Sequence, residues 1–222
     1  MDCWLKQNCS GVDCDKEFCL KRFKLDALYE KTLLPETHKK DIKLYSDSDG
    51  SDLESFRYLK SIQNNIVKFV ESGDNLYIHS PNCGNGKTSF AVKLIKEYLN
   101  QIWVRSDLVC RALFIHVPTY LLALKDNISE KSEFVSYVKE NILIADLVVF
   151  DEVATSTFTR FEGENILSII NARIESGKSN IYTSNLSDSE LLDKVGERLY
   201  SRIINKSNDV LLVGKDKRGL EF

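Results

Sequence analysis

The sequence has no apolar run approaching the roughly 20 residues that a membrane-spanning helix needs. Its start, Met-Asp-Cys-Trp-Leu-Lys, has neither the basic residues nor the apolar stretch of a secretory signal. A cytoplasmic protein with no membrane partner is therefore expected. A surplus of positive charge is also missing. The formal net charge of −3 argues against a globally basic nucleic-acid coat protein but leaves room for a local basic surface. There is no internal repeat and no long low-complexity tract.

What is present suits a soluble globular chain. With 222 residues, 43% of them hydrophobic, the chain can bury one sizeable α/β core and carry a small appendage. The six cysteines are unevenly spread: Cys3, Cys9, Cys14 and Cys19 crowd the N-terminus, whereas Cys83 and Cys110 lie far apart. The first four supply the soft ligands of a structural zinc site, and a metal would give so short a segment a reason to be ordered. No pair has the C-x-x-C spacing, so reduced thiols and an iron–sulfur cluster stay open, with His38 as a substitute ligand.

Residues 46–52 (Ser-Asp-Ser-Asp-Gly-Ser-Asp) hold no apolar side chain and read as a linker. They divide a Cys-rich region, 1–45, from a larger domain, 53–222. In that domain Leu53, Phe56, Leu59, Ile62, Ile66, Phe69 and Val70 recur at helical spacing, and Gly73 ends the pattern. Strands are expected at Leu76–His79, Leu113–Val117, Asp146–Phe150, Asn180–Thr183 and Asp209–Val213. Helices are expected around 89–99, 119–127, 133–143 and 163–176, and after the capping box that starts at Ser187. Apolar strands alternating with helices predict an α/β fold, a parallel sheet covered on both faces.

Between the first strand and its helix stand Cys83, Gly84, Asn85, Gly86, Lys87, Thr88 and Ser89. Glycines let a backbone wrap phosphates at a helix N-terminus, a lysine neutralises the outer ones, and a hydroxyl holds Mg2+. ATP with Mg2+ is the expected ligand. The pattern G-x-x-x-x-G-K-[ST] is incomplete, because Pro81 stands in place of its first glycine. The apolar run Leu147–Phe150 ends in Asp151 and Glu152. Asp151 is the candidate to hold the metal through water, and Glu152 to orient and deprotonate the attacking water. Taken alone, such acids also serve as solvated strand ends. Asn185, past the next strand, would lie at the same sheet edge as the phosphates, where it can position water or serve as an ordinary helix-start residue.

The spacing Lys194, Arg198, Arg202, Lys206 predicts one basic stripe on a helix, with Leu191, Val195, Leu199 and Ile203 beside it. Gly196 is placed to break that helix. A solvated basic face accounts for this pattern without any function.

In the same stretch, Ile169–Arg173, Gly177-Lys178, Tyr182–Leu186 and Glu197–Ile203 together resemble the AAA+ ATPases of the DnaC/DnaI helicase-loader and IstB transposition-helper group. The resemblance covers residues 53–219. It implies a five-stranded ATPase core without the C-terminal helical lid, protomers assembled side by side, and binding of single-stranded DNA. In the loaders it also implies a ring-shaped replicative DNA helicase as partner, held through the N-terminal region. Arg202 matches the family's arginine finger, which would reach a neighbour's ATP and drive self-association. The helices between residues 119 and 143 occupy the place of a DNA-contacting insertion, with Lys125, Lys131 and Lys139 available to phosphates. The functional expectation is an ATPase that deposits the helicase on single-stranded DNA at replication initiation. An IstB-like regulator of a transposase and a non-hydrolysing ATP-binding adaptor are the alternatives.

Overall fold

The computed structural model describes residues 19–217 apart from 36–41, 43, 48 and 129. Within them five strands form one parallel sheet in the order β2-β3-β4-β1-β5. The strands are β1 (Asn75–His79), β2 (Ala112–His116), β3 (Leu147–Asp151), β4 (Ser179–Ser184) and β5 (Asn208–Leu211). The first four have nearly every residue buried, as expected of strands covered on both faces.

Eight helices among the described residues cover the sheet. Alternate strand residues divide the core in two. Leu76, Ile78, Phe114, Val149 and Ile181 pack with α1 (Leu20–Glu30), α2 (Leu53–Asn64), α3 (Ile66–Glu71) and α4 (Lys87–Ile102). Tyr77, Leu113, Ile115, Phe150 and Tyr182 pack with α5 (Val117–Asp126), α6 (Glu133–Asn141), α7 (Arg160–Glu175) and α8 (Asp188–Ile204). Leu25 and Leu28 of α1 are fully buried in the first of these layers, and Thr32 accepts a backbone hydrogen bond from Phe114 on β2.

The helical pattern from Leu53 to Val70 is two helices, not one. Asn65 leaves helical geometry at φ −113° and ψ 25°, and its side chain donates back to the Ser61 carbonyl. The apolar spacing runs through this break because both pieces bury the same face. Proline enters where it costs least: Pro118 lies in the first turn of α5, where its missing N–H has no helical partner to lose.

A fully buried arginine ties the second layer together. Arg173 of α7 donates to Asn180 Oδ1 and to the carbonyls of Ile142, Ala145 (2.9 Å) and Ser179 (2.7 Å). Burial pushes its pKa down to about 10. Its guanidinium satisfies carbonyls at the end of α6 and the start of β4 that the apolar layer would otherwise leave unpaired.

Residues 44–47 and 49–52 lie against the chain that follows β5. Lys217 Nζ meets Asp52 at 2.6 Å and Asp47 at 3.2 Å, and Lys215 Nζ meets Asp49 at 2.9 Å.

Candidate active site

Parallel strands bring their C-terminal ends to one edge, and the site is assembled there. β1 ends at His79, and the chain turns through Ser80–Gly86 into α4. Gly84 and Gly86 have φ of 73° and 103°, a region that glycine enters at little cost. Gly86 is the N-cap, without a side-chain cap, and the first turn of α4 has no acid, so the positive end of the helix is open to an anion. Pro81 is exposed.

Lys87 is almost fully buried, and its ammonium is held by the loop's own oxygens. It lies 2.7 Å from the Asn82 carbonyl, 3.2 Å from Asn85 Oδ1 and 3.4 Å from the Ser80 carbonyl. Asn85 also donates to Ser80 Oγ and to the Leu212 carbonyl, both at 2.7 Å. An ammonium that rests on three oxygens of its own loop fits a group that turns to an incoming phosphate.

The acidic half comes from β3. Asp151 accepts from Thr88 Oγ1 at 2.8 Å and from Thr183 Oγ1 at 2.7 Å. Burial raises its pKa; the two threonine hydroxyls oppose the shift, while Glu152 adds to it. A buried carboxylate between two hydroxyls, one of them on the phosphate loop, is a fitting holder for Mg2+. Such an ion would supply charge neutralisation between Thr88, Asp151 and the outer phosphates.

Glu152 leaves the sheet at φ 57°, and Ala154 follows at φ 66°. Two non-glycine residues in left-handed geometry within three positions store strain at the strand end. The turn is held by Thr183: its Oγ1 accepts from the Glu152 N–H at 2.9 Å, and its carbonyl from the Val153 N–H at 2.8 Å. The Glu152 carboxylate is half-exposed, 3.2 Å from His116 Nε2 at the end of β2, and His116 Nδ1 is 2.7 Å from Thr119 Oγ1.

Residues 24–214 match the family model described as IstB-like ATP binding protein. The chain belongs to that family.

Among curated proteins, the replicative helicase loader DnaC of Escherichia coli (strain K12) is 25% identical over 147 residues, 66% of this chain and 54% of that protein. The chain thus spans about half the length of the curated relatives it matches. The crystal structure of the DnaC helicase loader has a TM-score of 0.61 at 20% identity, over 76% of this chain and 93% of that one. The crystal structure of DnaI has a TM-score of 0.61 at 17% identity, over 84% and 95%. Both have the same α/β fold.

On this IstB-like frame the structure brings Gly84–Ser89, Asp151 and Glu152 to one edge. Asn185 stands one residue beyond β4, half-buried, next to Ser184, which pairs with His79. Thr183 and His116, absent from the sequence-based site, touch Asp151 and Glu152 directly. Arg198 and Arg202 are exposed on α8, and no ion pair among the described residues engages either. The single basic stripe is corrected: Gly196, at φ 78° and ψ 159°, kinks α8 between Lys194 and Arg198, and Lys206 lies past the helix end. Lys125 is engaged by Glu162 at 2.9 Å, whereas Lys131 and Lys139 are exposed.

Cys3, Cys9, Cys14 and His38 lie outside the described residues. Cys19 is an exposed free thiol at the N-cap of α1. Among the described residues, no group of three or more His, Cys, Asp or Glu side chains is placed to hold a metal ion, and no helix is long and apolar enough to cross a membrane.

Proposed function

We propose that the protein binds ATP with Mg2+ at the Gly84–Ser89 loop, hydrolyses it, and uses that cycle to load a replicative helicase onto single-stranded DNA. The observation that carries the hydrolytic reading is the contact of Thr88 with Asp151. It joins the phosphate loop to the end of the buried acidic strand through one hydroxyl–carboxylate hydrogen bond. Lys87 neutralises the outer phosphates, Thr88 and Asp151 hold the metal, Glu152 takes the proton of the attacking water, and Asn185 orients it.

Arg202 acts in a neighbouring protomer. It is exposed on α8 and without an ion pair among the described residues, as a side chain that completes another subunit's site must be. The loader role rests on the likeness to DnaC, whose name describes a replicative helicase loader. The outer side of α1, with Leu20 and Phe23 about half-exposed, is the proposed helicase contact, and Lys131 and Lys139 are the proposed DNA contacts.

The decisive experiment combines ATPase assays with capture of the host's replicative helicase. Wild-type protein hydrolyses ATP and retains the helicase. Lys87→Ala abolishes nucleotide binding, Glu152→Gln binds ATP but turns it over at least about 100-fold more slowly, and Arg202→Ala loses only the assembly-dependent rate. Normal hydrolysis by Glu152→Gln removes its assigned role, and capture of a transposase in place of the helicase replaces the loader reading.

A further inference from the structure

The segment after β5 runs between the phosphate loop and residues 44–47 and 49–52 and is hydrogen-bonded to both. On the loop side, the Lys217 N–H donates to the Gly84 carbonyl at 2.9 Å, and Asn85 Nδ2 donates to the Leu212 carbonyl at 2.7 Å. On the other side, Lys217 Nζ donates to Asp52 at 2.6 Å and to the Tyr45 carbonyl at 2.8 Å, while the Lys215 N–H donates to Asp47 at 2.8 Å. Asp52 also accepts from Ser46 Oγ and the Asp47 N–H, both at 2.7 Å. The Ser55 hydroxyl, in the first turn of α2, adds a bond to the Leu211 carbonyl at 2.8 Å.

This junction has little slack. The Asp52 side chain is 2% exposed and that of Asp47 9%. A Cβ built on Gly214 would stand 3.0 Å from a carboxylate oxygen of each, so a side chain at 214 would press on both carboxylates. Asp47, Asp49 and Asp52 face Lys215 and Lys217 across this junction. The two ammonium groups offset two of the three carboxylate charges, which makes the cluster an internal clasp.

With Gly84–Ser89 read as a nucleotide site, the phosphate loop is the end that a ligand would disturb. The Lys87 ammonium now rests on the Asn82 carbonyl and Asn85 Oδ1, and it cannot hold both oxygens and an outer phosphate in the same way. Asn85 bonds Lys87 through its oxygen and Leu212 through its amide, so it stands directly between the ligand-sensing ammonium and the segment. Gly84 adds a second link one residue earlier.

We propose that residues 212–217 form a clasp that transmits the nucleotide state of the phosphate loop to residues 44–52, and so to the chain N-terminal of the ATPase core. Asp47, Asp52 and Lys217 are its positioning residues. The inference rests on the reading of Gly84–Ser89 as a nucleotide site, so nucleotide binding is measured beside it.

The test is hydrogen–deuterium exchange on the full chain, with and without a saturating non-hydrolysable ATP analogue and Mg2+. Wild-type protein binds the analogue and changes its exchange rate across residues 44–53 at least about threefold. The Asp47→Asn/Asp52→Asn double variant binds the analogue, but its 44–53 segment no longer responds. Lys217→Met gives the same loss through the other partner and serves if the double variant does not fold. Analogue binding by wild type with unchanged exchange at 44–53 overturns the clasp while leaving the nucleotide site intact. A full response in the folded variants also overturns it. Failure of wild type to bind the analogue overturns both readings.

Discussion

His116 Nε2 lies 3.2 Å from a carboxylate oxygen of Glu152, and the other ring nitrogen is held by Thr119. The imidazole therefore fixes where the carboxylate points, from the end of the neighbouring strand. His116→Ala frees Glu152 to turn into solvent. The expected result is a fall in kcat of about tenfold with little change in KM, since the nucleotide contacts remain. His116→Gln, whose amide nitrogen reaches about as far as Nε2 and can still donate to Glu152, recovers part of the rate. Steady-state ATPase kinetics on the three proteins read the split, and a rise in KM alone would remove the positioning role.

Thr183 has three tasks: its hydroxyl donates to Asp151 and accepts from the Glu152 N–H, and its carbonyl accepts from the Val153 N–H. Thr183→Val keeps the shape and the carbonyl but loses both hydroxyl bonds. A hydrogen bond to a charged group is worth about 1.5–3 kcal/mol. The variant is expected to need more Mg2+ for half-maximal ATPase and to turn over about ten- to a hundredfold more slowly. A magnesium titration of the rate checks both.

Arg173 is 0% exposed and donates to three carbonyls and Asn180. Arg173→Ala leaves those acceptors buried and unpaired, which costs about 3 kcal/mol or more. Urea unfolding should show a lowered midpoint. Arg173→Lys recovers only part of it, because one ammonium cannot reach all four oxygens of the fork.

Asp146 accepts from Lys178 at 2.8 Å, Tyr98 at 3.1 Å and Arg111 at 3.2 Å. Burial pushes its pKa up, but Lys178, Tyr98 and Arg111 outweigh burial and hold the carboxyl below its usual value. The native state thus favours the ionised form more than the unfolded chain does. Its contribution is complete above the unfolded pKa of about 4 and is lost as pH falls through the depressed native value. Melting temperatures between pH 7 and pH 3 should fall less steeply for Asp146→Asn than for the wild type, from a lower starting point.

The legible parts of this site were those with a local signature. Gly84, Gly86, Lys87 and Thr88 are adjacent in sequence, and Asp151 ends an apolar run, so chemistry and placement read together. Thr183 carried no such mark. In Asn-Ile-Tyr-Thr-Ser-Asn it is one polar residue among several, and only the pairing of Phe150 with Tyr182 brings it beside Asp151. His116 falls unmarked inside the strand expected at Leu113–Val117, because its meeting with Glu152 depends on β2 lying next to β3. Arg173 enters only as the last residue of the family-like Ile169–Arg173 motif, since nothing local marks its guanidinium as buried. The break at Asn65 was hidden by apolar spacing that continues across it. Residues 46–52 read as a linker because their partners Lys215 and Lys217 lie more than 160 positions away, beyond any local pattern.

The left-handed geometry of Glu152 and Ala154 sets the interests of the fold against those of the site. Each position holds a side chain where glycine would relieve strain on the order of 1–2 kcal/mol, set against glycine's greater loss of freedom on folding. At residue 152 the relief removes the carboxylate, and at 154 it loosens the turn that aims it. A library selected only for resistance to heat would therefore accept replacements in this turn that a library selected for ATP turnover rejects. Where the two selections disagree would mark how far the strand end has been tuned for chemistry at the expense of rigidity.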